Sequence, residues 1–161
     1  MKKTAIYPGT FDPFTNGHLN LVVRSLNMFD DVIVAIAPSL KKQPLFSLEE
    51  RFSMIERSLK KVKRVRIEVF DGLLVEYVKK KKGVAIVRGL RAVSDFEYEL
   101  QLALMNRRLN PAVETVFMMP NEEYSFLTAT IVKEIASLGG PVGQLVPKVV
   151  EQELRKRFRL T

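Results

Sequence analysis

The stretch TAIYPGTFDPFTNGHLNLVV, residues 4–23, decides the fold because it joins a short apolar segment to an amphipathic one through a turn that contains glycine and proline. Residues 4–9 are predicted as a strand. In residues 17–29 the apolar side chains recur every three to four positions, which predicts a helix with one buried face. The only histidine of the chain, His18, falls in the first turn of that helix.

This position favours the binding of an anion. Backbone amides in the first turn of a helix have no intrahelical acceptor, and the helix dipole adds partial positive charge there. Gly17 would let a ligand approach the backbone closely. The imidazole of His18 would donate hydrogen bonds to phosphate oxygens, and its protonated form would add positive charge. The junction between strand and helix is therefore a candidate phosphate site.

The alternation of short apolar runs and amphipathic segments continues along the chain. Further strands are predicted at 31–38, 64–70, 84–89 and 113–120. Helices are predicted between them and after them, with the clearest patterns at 47–59, 95–109, 128–140 and about 146–158. The second helix opens with the spacing of a capping box, Ser47 and Glu50. The helix at 95–109 places four apolar side chains on one face, which are Phe96, Leu100, Ala103 and Leu104.

This order predicts the α/β class, as a Rossmann-like doubly wound five-stranded parallel sheet with helices on both faces, in a single domain over residues 1–161. In such a sheet, ligands bind beyond the carboxyl ends of the strands, near the point where strand order reverses. Small, hydroxylic and cationic residues follow the predicted strands, at 9–18, 38–42, 71–74, 88–91 and 120–130. We therefore expect a phosphate-binding rim at this edge of the sheet.

Composition excludes several classes of site. The chain has no cysteine, which removes disulfides, thiolate metal sites and thiol nucleophiles, and one histidine makes a protein-built zinc site unexpected. The net charge of +8 suits an anionic partner. The basic runs at 59–66, 78–83 and 154–160 are interpreted as solvated helix ends. No secretory signal or membrane span is expected, so a cytoplasmic location is predicted.

Four stretches of the sequence resemble a known family. YPGTFDPFTNGH (7–18) is similar to the first-strand signature of the nucleotidyltransferase superfamily. IVRGLRAVSDFEYELQLALMNRRL (86–109), SLEERFSMI (47–55) and YSFLTATIVKEIA (124–136) resemble the bacterial phosphopantetheine adenylyltransferases. The likeness extends over essentially the whole chain. The motifs GxxxxGK[ST] and GxGxxG are missing, so P-loop ATP hydrolysis and hydride transfer are not supported.

The resemblance implies a reaction and its partners. ATP and 4'-phosphopantetheine would react reversibly to give dephospho-coenzyme A and pyrophosphate, the penultimate step of coenzyme A biosynthesis. Mg²⁺ would accompany ATP, and no protein side chain is implied as a metal ligand. The family is typically a cytoplasmic homohexamer that coenzyme A inhibits. Neither a nucleic acid nor a membrane is an expected partner.

The resemblance also implies a role for each residue that matches the family pattern. The implied catalytic residues are Thr10, His18, Lys42 and Arg91. Those implied to bind phosphopantetheine are Thr10, Lys42, Leu74 and Arg88. Those implied to bind ATP are Thr10, Phe11, His18, Gly89, Leu90, Arg91, Glu99, Tyr124, Ser125, Phe126, Leu127, Thr128, Ala129 and Thr130. Ala129 stands where the family usually has serine, so its contact with the triphosphate is limited to the backbone amide.

Some alternatives stay open at this level. Spacing alone does not separate Lys41 from Lys42. Arg88 would also be explained as an ion-pair partner of Asp95 or Glu97, Glu99 as a solvated acid, and Leu74 as a core residue. The alternative activities are those of a sister nucleotidyltransferase acting on nicotinamide mononucleotide or glycerol phosphate, and of a basic nucleic-acid-binding module. The latter predicts aromatic stacking platforms, and the chain has no tryptophan.

Overall fold

The computed structural model describes residues 2–39 and 43–159. The strands are β1 (Thr4–Gly9), β2 (Asp31–Ile36), β3 (Val65–Val69), β4 (Ala85–Gly89) and β5 (Glu114–Met118). The helices are α1 (Asn16–Ser25), α2 (Leu48–Leu59), α3 (Leu74–Lys80), α4 (Val93–Leu109), α5 (Ala129–Ser137) and α6 (Lys148–Arg157). The predicted phosphate-binding Lys42, and its alternative Lys41, lie outside the described residues.

The five strands form one parallel sheet in the order β3-β2-β1-β4-β5. From β1 the chain moves outward through β2 to β3, and from β4 it moves outward in the opposite direction to β5. Strand order therefore reverses between β1 and β4, which is the point where a doubly wound sheet opens a crevice for ligands. The predicted fold class is confirmed.

Neighbouring side chains of the three inner strands β1, β2 and β4 belong to two different cores, one on each face of the sheet. Ala5 and Tyr7 of β1 pack in the larger core, which buries residues of α1, α2, α5 and α6. Ile6 packs in the smaller core on the other face, with residues of α3. Because both faces are covered, the inner strands are mostly apolar, and β2 is buried along its whole length.

Local signals in the sequence set the ends of the helices. At α2, Ser47 Oγ accepts from the Glu50 amide at 3.2 Å and a Glu50 carboxylate oxygen accepts from the Ser47 amide at 2.7 Å, which confirms the predicted capping box. At α5, Thr128 Oγ1 accepts from the Ile131 amide at 3.0 Å. No helix of residues 2–39 and 43–159 combines the length and the apolar character that a bilayer crossing requires.

The apolar face predicted for α4 is not buried in the single chain. Phe96 is 46% exposed and Leu104 is 58% exposed, and Glu99 is the only residue of this helix that is buried. The reason is its place at the margin of the sheet, where α4 contacts β5 and α3 but has no layer of structure packed on its outer side in the described ranges. The helix therefore presents an unpartnered apolar surface.

Candidate functional site

A cavity of about 490 Å³ lies at the carboxyl ends of β1 and β4, at the point where strand order reverses. Its walls are the β1–α1 turn, the end of β4, Glu99 of α4, and the segment that leads into the first turns of α5. The parallel sheet brings these segments together because all its strands end at the same edge. Described residues from four of the five expected rim segments, 9–18, 38–42, 88–91 and 120–130, line this one concave site, whereas residues 71–74 do not.

Most of the residues predicted for the site line this cavity. They are Thr10, Phe11, His18, Arg88, Gly89, Arg91, Glu99, Tyr124, Leu127, Thr128, Ala129 and Thr130. Several lining residues have no counterpart among the predictions, and the charged ones are Asp12 and Lys133. Lys133 follows Ala129 by four positions on α5, so helical periodicity was the signal that would have placed it on the same side.

Four predicted residues do not line the cavity. Leu74 packs beside the smaller core on the opposite face of the sheet, which agrees with its alternative as a core residue. The Leu90 amide donates to the Met118 carbonyl at 2.9 Å, and the Ser125 amide donates to Glu122 within a short 3-10 turn. Phe126 is 62% exposed, away from the cavity walls. Substrate contacts through these four residues stay predictions.

His18 takes part in a capping box that fixes its ring. The Thr15 amide donates to His18 Nδ1 at 2.9 Å, and the His18 amide donates to Thr15 Oγ1 at 3.3 Å. Because Nδ1 accepts a hydrogen bond from an amide, the neutral ring carries its proton on Nε2. The ring therefore presents an N–H donor on the side away from the backbone of α1. The spacing of Thr15 and His18 matches the capping-box pattern, with histidine in place of glutamate or glutamine.

The surroundings of His18 keep it neutral. Its ring stacks on Phe14 with centroids 5.6 Å apart and meets the edge of Phe11 at 5.0 Å. Desolvation in this aromatic environment, together with the positive charge of Arg91, lowers the pKa of His18 to about 3. At neutral pH the protonated form, which would add positive charge, is therefore not the form that this site favours. His18 contributes a neutral, oriented N–H donor.

We expect this shift to appear in the pH dependence of stability. The unfolded chain has a histidine pKa near 6.5 and therefore binds one more proton than the folded chain between pH 6.5 and about 3. Stability falls as the pH drops through this range, and above it the contribution is constant. Urea unfolding at pH 7.5 and pH 4.5 will show that the wild type loses more unfolding free energy at the lower pH than His18→Gln does. Equal losses in the two proteins would contradict a lowered pKa of His18.

Arg88 and Glu99 form a two-pronged ion pair inside the cavity. Arg88 Nε donates to Glu99 Oε2 at 2.7 Å, and the terminal nitrogen Nη2 donates to Oε1 at 2.6 Å. Burial opposes the charge on Arg88, but the contact with Glu99 outweighs it and raises the pKa of the guanidinium. The alternative pairing with Asp95 or Glu97 is wrong. The Glu99 side chain is 10% exposed and holds Arg88 in place.

Arg91 connects the segment after β4 with the segment that leads into α5. Its Nε and its backbone amide both donate to Asp95 Oδ2 at 3.2 Å, at the start of α4. Its terminal nitrogen Nη1 donates to the Leu127 carbonyl at 3.2 Å, on the segment that leads into α5. The guanidinium therefore lies between the end of β4 and the first turn of α5, where it lines the cavity beside Thr128.

A second ion pair in the cavity joins α5 to the β1–α1 turn. Lys133 Nζ on α5 donates to Asp12 Oδ2 at 2.9 Å, and the lysine side chain is 32% exposed. Three cations, Arg88, Arg91 and Lys133, thus share one cavity with the N-terminus of a nine-residue helix. Among residues 2–39 and 43–159 no group of three acidic, histidine or cysteine side chains is arranged to hold a metal ion. The site is chemically suited to phosphate groups.

Comparison with known proteins identifies the family. Residues 6–135 match the sequence model of the cytidylyltransferase-like family. Phosphopantetheine adenylyltransferase of Thermodesulfovibrio yellowstonii is 59% identical over 160 residues, which cover 99% of either chain. That of Geobacter sulfurreducens is 52% identical and covers 97% of this chain and 95% of its own. The chain belongs to the phosphopantetheine adenylyltransferase family. It is a nucleotidyltransferase, and the family predicted from the sequence is confirmed.

The fold is also shared with a more distant enzyme. A bifunctional NMN adenylyltransferase/ADP ribose pyrophosphatase from Francisella tularensis superimposes with a TM-score of 0.74 at 19% identity. The superposition covers all of this chain and 51% of that one. At this level of identity the likeness concerns the fold alone. Within the phosphopantetheine adenylyltransferase family, the cavity at the switch point is the candidate active site.

Proposed function

We propose that this cavity aligns ATP with the phosphate of 4'-phosphopantetheine and transfers the adenylyl group, releasing pyrophosphate and forming dephospho-coenzyme A in the penultimate step of coenzyme A biosynthesis. One observation carries the proposal. Arg88, Arg91, Lys133 and the His18 ring surround a single cavity at the N-termini of two helices. A site of this kind stabilises two phosphate-bearing molecules at once.

The reaction is an in-line displacement at the α-phosphate of ATP. A phosphate oxygen of the acceptor forms the new P–O bond while the bond to pyrophosphate breaks. The attacking oxygen is already anionic, so no general base is required. Negative charge builds up on the phosphoryl oxygens, and the enzyme's contribution is alignment and electrostatic stabilisation. The oriented Nε2–H of His18 is the donor for the α-phosphate, and Thr10 contacts both substrates beside it.

The two substrates would occupy different walls. Arg91, Thr128 and the free amides of α5 would hold the triphosphate, with Ala129 contributing only its amide. Arg88, oriented by Glu99, would hold the phosphate of phosphopantetheine. Mg²⁺ would neutralise part of the triphosphate charge while bound to the nucleotide's own phosphates and to water, which is how this ion commonly binds.

The assay that tests the function offers three acceptors separately. Pyrophosphate release from ATP is measured with 4'-phosphopantetheine, nicotinamide mononucleotide or glycerol phosphate. We expect release with the first and background rates with the other two. Release with another acceptor alone would overturn the proposal in favour of a sister activity.

Assembly and regulation follow from the same proposal. The exposed apolar side chains of α4, among them Phe96, Leu104 and Met105, support self-association, and we propose a homohexamer. Coenzyme A differs from the product by one added phosphate, so it would compete for the same cavity as a feedback inhibitor. A cytoplasmic location is proposed from family membership.

Gly17 provides a test of the close approach of ATP. A Cβ at Gly17 would lie 3.5 Å from Thr15 Oγ1 and 3.6 Å from Tyr124 Cβ, which are ordinary contacts. Alanine is also the better helix former, by roughly 1 kcal/mol. We therefore expect Gly17→Ala to keep or raise the melting temperature while raising the KM for ATP several-fold. An unchanged KM in this variant would show that the ligand does not approach this backbone.

A further inference from the structure

Arg51 is a buried cation outside the cavity that the mechanism above does not use. It lies on α2 and is 2% exposed. Its guanidinium donates to three backbone carbonyls, at 2.7 Å to Thr10, 3.0 Å to Ala37 and 3.2 Å to Phe46. No carboxylate in residues 2–39 and 43–159 lies within ion-pair distance of it. Burying a charge costs desolvation free energy. The hydrogen bonds to the three carbonyls have to offset this cost for Arg51.

One of the three carbonyls belongs to the turn that carries the reaction. Thr10 is followed by Phe11, whose φ of 51° lies in the left-handed region that a bulky side chain rarely adopts. The Phe11 ring is buried and packs against the His18 ring at 5.0 Å. The conformation of this turn therefore sets the position of Thr10 relative to the His18 ring.

The contact with Arg51 determines the orientation of one peptide plane. In a trans peptide the C=O and N–H groups point in opposite directions, so a Thr10 carbonyl held by Arg51 turns the Phe11 N–H away from Arg51. Among residues 2–39 and 43–159 no group accepts a hydrogen bond from that N–H. Both Thr10 and Phe11 line the cavity. The direction of this N–H is thus fixed by a residue that does not line the cavity.

The other two carbonyls connect this turn to the structure between β2 and α2. Ala37 follows β2 directly, and Phe46 precedes α2. Asp12 reinforces the connection from the other side, because its carboxylate accepts from the amides of Leu45 and Phe46, each at 2.9 Å. The β1–α1 turn is therefore held at two points, the Thr10 carbonyl and the Asp12 side chain.

We propose that Arg51 is a positioning residue for adenylyl transfer, which holds the Thr10–Phe11 peptide in the orientation that places Thr10 and His18 together at the reacting phosphate. This inference rests on the proposed function for its kinetic consequence. Its structural content, that Arg51 maintains the left-handed turn, stands independently of which acceptor is used.

The main variant is Arg51→Gln, which removes the charge and cannot reach all three carbonyls. We expect kcat to fall about 10- to 100-fold, because misplacement of reacting groups by about 1 Å has an effect of this size. The matched control is Ile55→Ala, which removes a buried α2 side chain that does not line the cavity. Even where Ile55→Ala lowers the melting temperature as much as Arg51→Gln does, we expect this control to keep kcat within about twofold of the wild type. Wild-type kcat in Arg51→Gln, or an equal loss in both variants, would overturn the inference.

The second variant is Arg51→Lys, which keeps the positive charge but replaces the three guanidinium nitrogens with a single ammonium nitrogen. It is expected to fold even where the glutamine variant does not, and to show a kcat between those of the wild type and Arg51→Gln. Full wild-type kcat in this variant would show that charge alone is needed and that the three-carbonyl geometry is not.

A crystal structure of Arg51→Gln separates this inference from the proposed function. We expect the Thr10–Phe11 peptide to rotate and Phe11 to leave the left-handed region. An unchanged turn overturns the positioning role, whatever the acceptor substrate. If the wild type fails to release pyrophosphate with phosphopantetheine, the proposed function fails, and the conformation of this turn alone decides the role of Arg51.

Discussion

Replacing His18 with alanine will lower kcat by about 10²- to 10³-fold, which is the usual effect of removing one oriented donor to a developing oxyanion. The ring presents its Nε2–H from a fixed position, because Nδ1 accepts from the Thr15 amide at 2.9 Å and the ring stacks on Phe14. Steady-state kinetics with saturating ATP and acceptor measure this loss.

The same substitution removes a helix cap, so stability has to be separated from catalysis. Loss of the contact with Thr15 will cost about 1 kcal/mol of unfolding free energy. His18→Gln is the matched variant, since glutamine at this position completes a capping box. We expect His18→Gln to recover most of the stability while kcat stays at least tenfold below the wild type. Wild-type turnover in either variant would exclude His18 from the reaction.

Replacing Glu99 will mainly weaken binding of the acceptor and not of ATP. Glu99→Gln keeps one carbonyl oxygen for Arg88 but loses the charge and the second prong of the pair. We expect the KM for phosphopantetheine to rise about tenfold, while the KM for ATP changes less than threefold. The opposite split would show that Glu99 contacts ATP directly, as the family resemblance implied.

Glu99→Ala will also destabilise the fold. It leaves the Arg88 guanidinium partly buried without a counter-ion, and a broken pair of this kind costs about 3 kcal/mol. The double variant Arg88→Met with Glu99→Leu removes both charges, and we expect it to regain much of the unfolding free energy without regaining acceptor binding. A double variant as unstable as Glu99→Ala would contradict the assignment of the loss to an unpaired charge. Urea unfolding and acceptor titration measure the two effects.

Short-range patterns in the sequence were sufficient for the element order, because strand and helix periodicity and helix caps depend on neighbouring residues. The Ser47–Glu50 capping box and the strand at residues 4–9 were predictable on this basis. The topology rule for parallel sheets then placed His18 and Arg91 at one edge. The apolar stripe of α4 was predicted as well, but periodicity does not say whether another layer covers it.

Periodicity and motifs in the sequence were therefore enough to predict the doubly wound sheet and the family, and to propose candidate phosphate-binding residues at the strand ends. The pairing of Arg88 with Glu99, and not with Asp95 or Glu97, became visible only in the folded chain, as did the neutral His18 ring with its proton on Nε2. The carboxylate that Arg88 contacts depends on how α4 packs beside the end of β4, and the pKa of His18 depends on the groups that exclude water from its ring. Neither is encoded in the spacing of residues along one segment.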